Sequence, residues 1–172
     1  MRLLLALDGH ADHENAAHAV RGLAEACSAS VYLLNVLNPN DVHASMEHQS
    51  APPVTPTYTL TGTRVPGAVQ EYPRVAEDRA AAFAAIEAER SDYLKDAAGR
   101  WFTGRTVEVR VEEHEHTADA ILAEAHRVAA DLIVLASYHH SMVDRIRGAL
   151  HEEVIKRSPV PVVIVGPEVV GR

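Results

Sequence analysis

Small hydroxyl and imidazole side chains follow a fully apolar segment in the second half of the chain. Residues 132–135 read Leu-Ile-Val-Leu without alternation, which is typical of a strand buried on both faces of a parallel sheet. Ligands bind beyond the carboxyl ends of such strands, so the loop that follows is a candidate binding site. Its candidate binding residues are Ala136, Ser137, His139, His140 and Ser141.

A helix and another apolar strand are predicted after this loop. Ile146, Leu150 and Val154 recur at helical spacing, and Pro159 ends the helix before the β-branched run Val162–Val165. The segment is therefore a strand–helix–strand unit, and its crossover should be right-handed.

The start of the chain has the same pattern. The apolar residues 3–7 end at Asp8 and Gly9, and residues 31–36 form a second strand. The helix between them has an apolar face made of Ala16, Val20, Leu23, Ala24 and Cys27. Cys27 is the only cysteine, so it cannot form an intramolecular disulfide, and its place on this face predicts burial.

Residues 37–75 interrupt the alternation of strands and helices. Six of the nine prolines fall there, and no hydrophobic period persists. Loops of this length are usually functional or disordered. We interpret the stretch as an insertion over the carboxyl edge of the sheet, either a surface loop or a binding lid, in which residues 55–65 could pair as a hairpin.

The remaining segments complete one α/β domain spanning residues 1–172. Residues 76–98 predict a helix with Gly99 as its C-cap, and the alternation over 106–111 predicts a strand at a sheet edge. Thr117 is predicted to cap the next helix. Alternating strands and helices build a parallel sheet with helices on both faces. The predicted core is Leu4, Leu5, Val31, Leu33, Ile121, Ile133, Val134, Val162 and Ile164.

Composition excludes some classes of function. The net charge of −8 argues against nucleic-acid binding, which needs a basic surface. No apolar run is long enough to span a bilayer, and none has the form of a signal peptide. We therefore expect a cytoplasmic protein with no membrane or nucleic-acid partner.

Several of these segments together resemble the universal stress protein family. The resemblance rests on Leu4 to Gly9, on Val36, and on the carboxyl-terminal half, where Asp-Leu-Ile-Val-Leu, Arg145, Gly148, Glu152-Glu153-Val154 and Pro-Val-Pro-Val-Val-Ile-Val occur in order. It implies an adenine nucleotide alpha hydrolase-like fold, an open five-stranded parallel sheet in the order 3-2-1-4-5. It also implies a homodimer through the last strand, Val162, Val163, Ile164 and Val165. The same resemblance places a ligand crevice near Asp8, Gly9 and residues 136–141, with Asp8 and Val36 on its adenosine side.

One branch of this family binds ATP through a loop written G-x2-G-x9-G-[S/T]. Here Ala136 and His139 stand at the first two glycine positions, and a one-residue deletion aligns Gly148 and Ala149 with the last pair. Glycines let backbone N–H groups approach phosphates, and an imidazole adds bulk there. These departures predict weak or absent ATP binding. The alternative is an ATP-binding member in which His139 and His140, with Arg145 and Ser141, bind the anion.

Histidines and serines in the loops raise the questions of metal binding and catalysis. His10 or His13 and His139 or His140 could meet at one sheet edge, but no compact ligand motif is present. No acid is identifiable that would orient a histidine beside Ser137 or Ser141. We therefore expect no metal site, no required cofactor and no catalytic residue. The sequence indicates a non-enzymatic stress-response module; an ATP-binding protein or an anion or metal sensor are the alternatives.

Overall fold

A computed structural model describes residues 1–8, 15–39, 75–136 and 143–166. Within these ranges the chain forms five strands and four helices in alternation. In chain order they are β1 (Arg2–Ala6), α1 (Asn15–Cys27), β2 (Ser30–Leu37), α2 (Val75–Trp101), β3 (Val107–Glu113), α3 (Thr117–Arg127), β4 (Leu132–Ala136), α4 (Val143–Arg157) and β5 (Val162–Val165).

The five strands form one parallel sheet in the order β3-β2-β1-β4-β5. The central strand, β1, is fully apolar at Leu3, Leu4 and Leu5, each 0 % exposed. Such a strand suits the middle of a sheet that is covered on both faces. The predicted fold class and strand order are confirmed.

The two faces of the sheet have separate hydrophobic clusters. Leu3, Leu5 and Leu33 pack with buried residues of α1 and α2. Leu4 and Leu34 pack on the other face with buried residues of α3 and with Val154 of α4. The predicted core residues are buried except at β5, where Val162 is half-buried and Ile164 is exposed. That prediction was wrong because β5 is an edge strand, with a neighbouring strand on one side only.

The two edge strands differ in chemistry. β5 exposes apolar side chains, with Val163 42 % and Ile164 37 % exposed. β3 was predicted to lie at an edge and does. Its Glu108, Arg110 and Glu112 alternate with half-buried valines that pack against the core. One edge of the sheet is therefore apolar, and the other is charged.

Three local predictions were wrong. Gly99 lies inside α2, which continues to Trp101 because Trp101 and the buried Phe102 pack against the core. The N-cap of α3 is His116, and no side chain caps it; Thr117 is the first helical residue. Cys27 is exposed, since α1 ends there and the buried Ala29 continues the core instead.

The predicted insertion lies between β2, which ends at Leu37, and α2, which begins at Val75. The hairpin and the lid proposed for it fall in residues 40–74, outside the described residues, and stay predictions. None of the described helices is both long and apolar enough to cross a membrane.

Candidate functional site

The order in which the chain adds strands to the sheet reverses between β1 and β4, which lie side by side and run parallel. After β1 the chain enters α1 on one face, and after β4 it enters α4 on the opposite face. The two connections therefore diverge and leave a crevice beyond the carboxyl ends of these strands, where ligands bind in open α/β sheets.

The described residues form a crevice at this place, on the face covered by α3 and α4. Its cavity volume is about 70 Å³, and residues from β1, β2, β4, α3 and α4 line it. Pockets that enclose a whole small molecule measure roughly 300–1,000 Å³. This crevice therefore suits one part of a ligand, such as a base or a sugar. Its lining includes Asp8, Val36, Thr117, Ala136, Leu150 and His151.

Side chains hold the backbone at the end of β1. The buried amide of Asn35 donates from Nδ2 to the carbonyl oxygen of Leu7 at 2.7 Å. On the next residue, Arg90 of α2 donates from Nη1 to the carbonyl oxygen of Asp8 at 3.0 Å. These bonds satisfy two carbonyl groups that lie past the strand, and so fix where Asp8 stands.

The end of β4 is held in a similar way from the other face. His151 of α4 is half-buried, and its Nε2 lies 2.9 Å from the carbonyl oxygen of Ala136. A carbonyl oxygen can only accept, so Nε2 carries the hydrogen. His151 thus ties α4 to the last residue of β4 and forms part of the crevice wall.

The start of α3, where Thr117 lines the crevice, carries an ion pair. Arg157 at the end of α4 donates from Nη2 to Asp119 Oδ1 at 2.6 Å. This hydrogen bond lowers the pKa of Asp119 below its usual value and raises the pKa of Arg157. The pair joins α3 to α4 beside the crevice.

The structure brings together three of the predicted site residues. Asp8, Val36 and Ala136 line the same crevice, although they are far apart in sequence. Gly148 and Ala149 lie within α4. Gly9, Ser137, His139, His140 and Ser141 lie outside the described residues, and their roles stay predictions.

Three residues of the site were not predicted. Arg90 is one of several charged residues on a long helix, and nothing in its spacing sets it apart. Thr117 was interpreted only as a helix cap. His151 lies directly before the Glu-Glu-Val segment and next to Leu150, an apolar residue of the predicted helix. This neighbour was the one feature of the sequence that indicated an inward-facing side chain at position 151.

His114 and His116, two histidines close together in sequence, contact each other. His114 Nδ1 accepts a hydrogen bond of 3.0 Å from the backbone N–H of His116. Across the described ranges, no three histidine, cysteine, aspartate or glutamate side chains are grouped so as to hold a metal ion.

A parallel sheet with helices on both faces and a crevice where the strand order reverses defines a class of doubly wound, nucleotide-binding-like folds. Within this class the chain belongs to the universal stress protein family, whose model matches residues 1–166. No curated protein sequence matches the chain significantly.

Solved structures share the fold over nearly the whole chain. The universal stress protein UspA from Lactobacillus plantarum is 16% identical with a TM-score of 0.66, covering 96% of this chain and 97% of that one. A universal stress protein in complex with cAMP is 20% identical with a TM-score of 0.54, covering 96% of both chains. One from Archaeoglobus fulgidus in complex with dAMP is 16% identical with a TM-score of 0.51, covering 95% and 96%.

Proposed function

We propose that this protein is a non-enzymatic binding module of the stress response, which retains the nucleoside side of the family's ligand site and binds ATP weakly or not at all. The observation that carries the proposal is the meeting of Asp8, Val36 and Ala136 in one crevice. The first two are the residues that the resemblance assigns to the adenosine side. A cytoplasmic location and the stress role itself are part of this proposal.

The phosphate side of the site supports the second half of the proposal. Ala136, at the first glycine position of the loop motif, is only 7 % exposed, and His151 holds its carbonyl group. A methyl group at Ala136 and an imidazole at His139 occupy positions where glycine lets the backbone approach phosphate. Weak binding of the triphosphate follows, because the backbone is less free to approach it.

Adenine nucleotides are the ligand class to test first. Two family members that share the fold were solved with cAMP and with dAMP, which carry a single phosphate. A crevice that accepts a base or sugar while the triphosphate loop is degenerate fits ligands of this kind better than ATP. An ATP-binding member remains the main alternative, in which loop side chains replace the missing glycines.

Calorimetric titration with ATP and Mg²⁺ tests the proposal. We expect no measurable binding, or a millimolar dissociation constant, and no phosphate release over the background rate. The matched gain-of-function variant is Ala136→Gly with His139→Gly, which restores two glycines and should bind ATP more tightly. A micromolar dissociation constant for the unmodified protein would overturn the proposal in favour of the ATP-binding alternative.

We also propose a homodimer that forms through β5. The strand is at the end of the sheet, and two of its four residues are exposed valine and isoleucine. An apolar edge strand with free backbone groups favours pairing with another chain. A second copy of β5 would cover both the apolar side chains and the backbone edge.

A further inference from the structure

Among the described residues, His151 is the histidine that lines the crevice. Its Nε2 donates a hydrogen bond to the carbonyl oxygen of Ala136, at 2.9 Å. In a neutral imidazole with Nε2 protonated, Nδ1 has no hydrogen and is an acceptor. No residue of the described ranges donates to this second nitrogen. Nδ1 of His151 is therefore an acceptor to which no described protein group donates, so a ligand could donate to it.

Two other polar residues line the crevice. Asp8 contributes a carboxylate, and Thr117 contributes a hydroxyl group, which both donates and accepts. Among the described residues that line the crevice, none is lysine or arginine. Such groups can bind the hydrogen-bond donors of a ligand, and the described lining supplies no lysine or arginine to pair with a phosphate group.

Apolar residues complete the wall and set the shape of the ligand. Val36, Ile121, Leu135 and Leu150 border the polar groups. A planar base or the carbon face of a sugar would pack against these side chains, while amino or hydroxyl groups face the acceptors. The combination of apolar walls and a few convergent polar groups is what small-molecule sites require.

We propose that His151 is a specificity-determining residue, which selects the uncharged nucleoside part of a ligand by accepting a hydrogen bond at Nδ1. The inference rests on the proposed function, because it assigns the nucleoside to this crevice. It goes beyond that function in naming the selecting residue and in predicting that adenosine, with no phosphate at all, binds more tightly than ATP.

The variants at position 151 separate contact with the ligand from support of Ala136. Glutamine can donate to the Ala136 carbonyl group and also offer an acceptor, so His151→Gln should keep both roles. Lysine can donate but cannot accept, so His151→Lys keeps only the support. Leucine does neither. His126, exposed on α3, provides the control His126→Leu, which changes a histidine away from the crevice.

Calorimetric titrations of adenosine and ATP into each full-length variant test the inference. The loss of one hydrogen bond should weaken adenosine binding roughly threefold to tenfold in His151→Leu and His151→Lys. His151→Gln and His126→Leu should stay within about twofold of the unmodified protein. His151→Lys should also bind ATP more tightly than His151→Leu, because it brings a positive charge.

Two outcomes distinguish a failure of this inference from a failure of the proposed function. If the unmodified protein binds adenosine and the His151 variants bind it equally well, the inference is wrong and the proposed function stands. If the unmodified protein binds neither adenosine nor ATP, the crevice is no nucleoside site, and both the inference and that part of the proposed function fall. Circular dichroism of each variant shows that it has folded.

Discussion

Arg157 and Asp119 form a 2.6 Å ion pair that joins the last turn of α4 to the first turn of α3. Both side chains are partly exposed, 47% for Arg157 and 37% for Asp119. Arg157 also donates from Nη1 to Glu153 at 2.7 Å, so its guanidinium group is held on two sides. The pair fixes the start of α3, where Thr117 borders the crevice.

This pair predicts a pH-dependent stability difference between the unmodified protein and Asp119→Asn. The hydrogen bond from Arg157 lowers the pKa of Asp119 in the folded chain below its usual value. A lowered folded-state pKa stabilises the protein above the unfolded-state pKa, and the stabilisation is lost as pH falls through the folded-state value. Asp119→Asn should therefore be less stable than the unmodified protein at pH 7, and the difference should shrink as the pH falls below the unfolded-state pKa of the aspartate and through its lower folded-state pKa.

Urea unfolding at several pH values, followed by the fluorescence of the single tryptophan, Trp101, measures this difference. Asp92→Asn is the control, because its ion pair with Lys95 also has a short distance, 3.0 Å, but joins two residues of one helix in solvent. We expect only a small effect from that change. A pH-independent difference for Asp119→Asn would contradict the assignment.

Arg127 pairs with two carboxylates that differ in burial. Glu124, whose side chain is 6% exposed, accepts from Nε at 2.7 Å and from Nη2 at 2.7 Å. Glu108, 50% exposed, accepts from Nη2 at 2.6 Å. Their hydrogen bonds raise the pKa of Arg127, with that of Glu124 the larger cause.

Glu124→Gln should lower the free energy of unfolding more than Glu108→Gln does, although each substitution removes one carboxylate that pairs with Arg127. A charge-assisted hydrogen bond at a buried carboxylate contributes about 1.5–3 kcal/mol. An exposed ion pair contributes below about 1 kcal/mol. The free energies of unfolding in urea measure both, and equal losses would show that the burial of Glu124 does not matter.

The apolar edge predicts the assembly state. The protein should sediment at micromolar concentration with twice the chain mass of 18.7 kDa. Ile164→Lys should give monomers, because a charge within β5 would be buried by a second copy of the strand. Ile155→Lys is the control, since Ile155 is more exposed, at 50 %, but lies on α4. A dimer that survives Ile164→Lys and dissociates with Ile155→Lys would place the interface on the helix.

Much of this fold could be predicted from sequence because its strands are unusually distinct. The unbroken apolar runs of β1 and β4 indicate strands buried on both faces, and the alternation in β3 indicates an edge. The order of the strands came from the family resemblance. Periodicity alone gives no order, since any right-handed arrangement of these units would satisfy it.

The errors arose where tertiary packing outweighs local preference. Gly99 has the character of a helix end, yet burial of Phe102 and packing of Trp101 extend α2 beyond it. Ile164 is as apolar as any core residue, but its place at the end of the sheet exposes it. His151 and Arg90 enter the site because helices bring them to strand ends, and the sequence around each residue does not show which distant strand it will contact.

The unlike edges of the sheet have a consequence for how large an assembly can grow. A contact between two copies of β5 is isologous, so each copy uses its apolar edge against the same edge of the other. The outer ends of the resulting ten-stranded sheet are then both β3, with the charged side chains of Glu108, Arg110 and Glu112. Charged edges resist further strand addition. Growth by the proposed pairing across β5 would therefore stop at two chains, and the asymmetry that favours the proposed dimer would also oppose fibre formation.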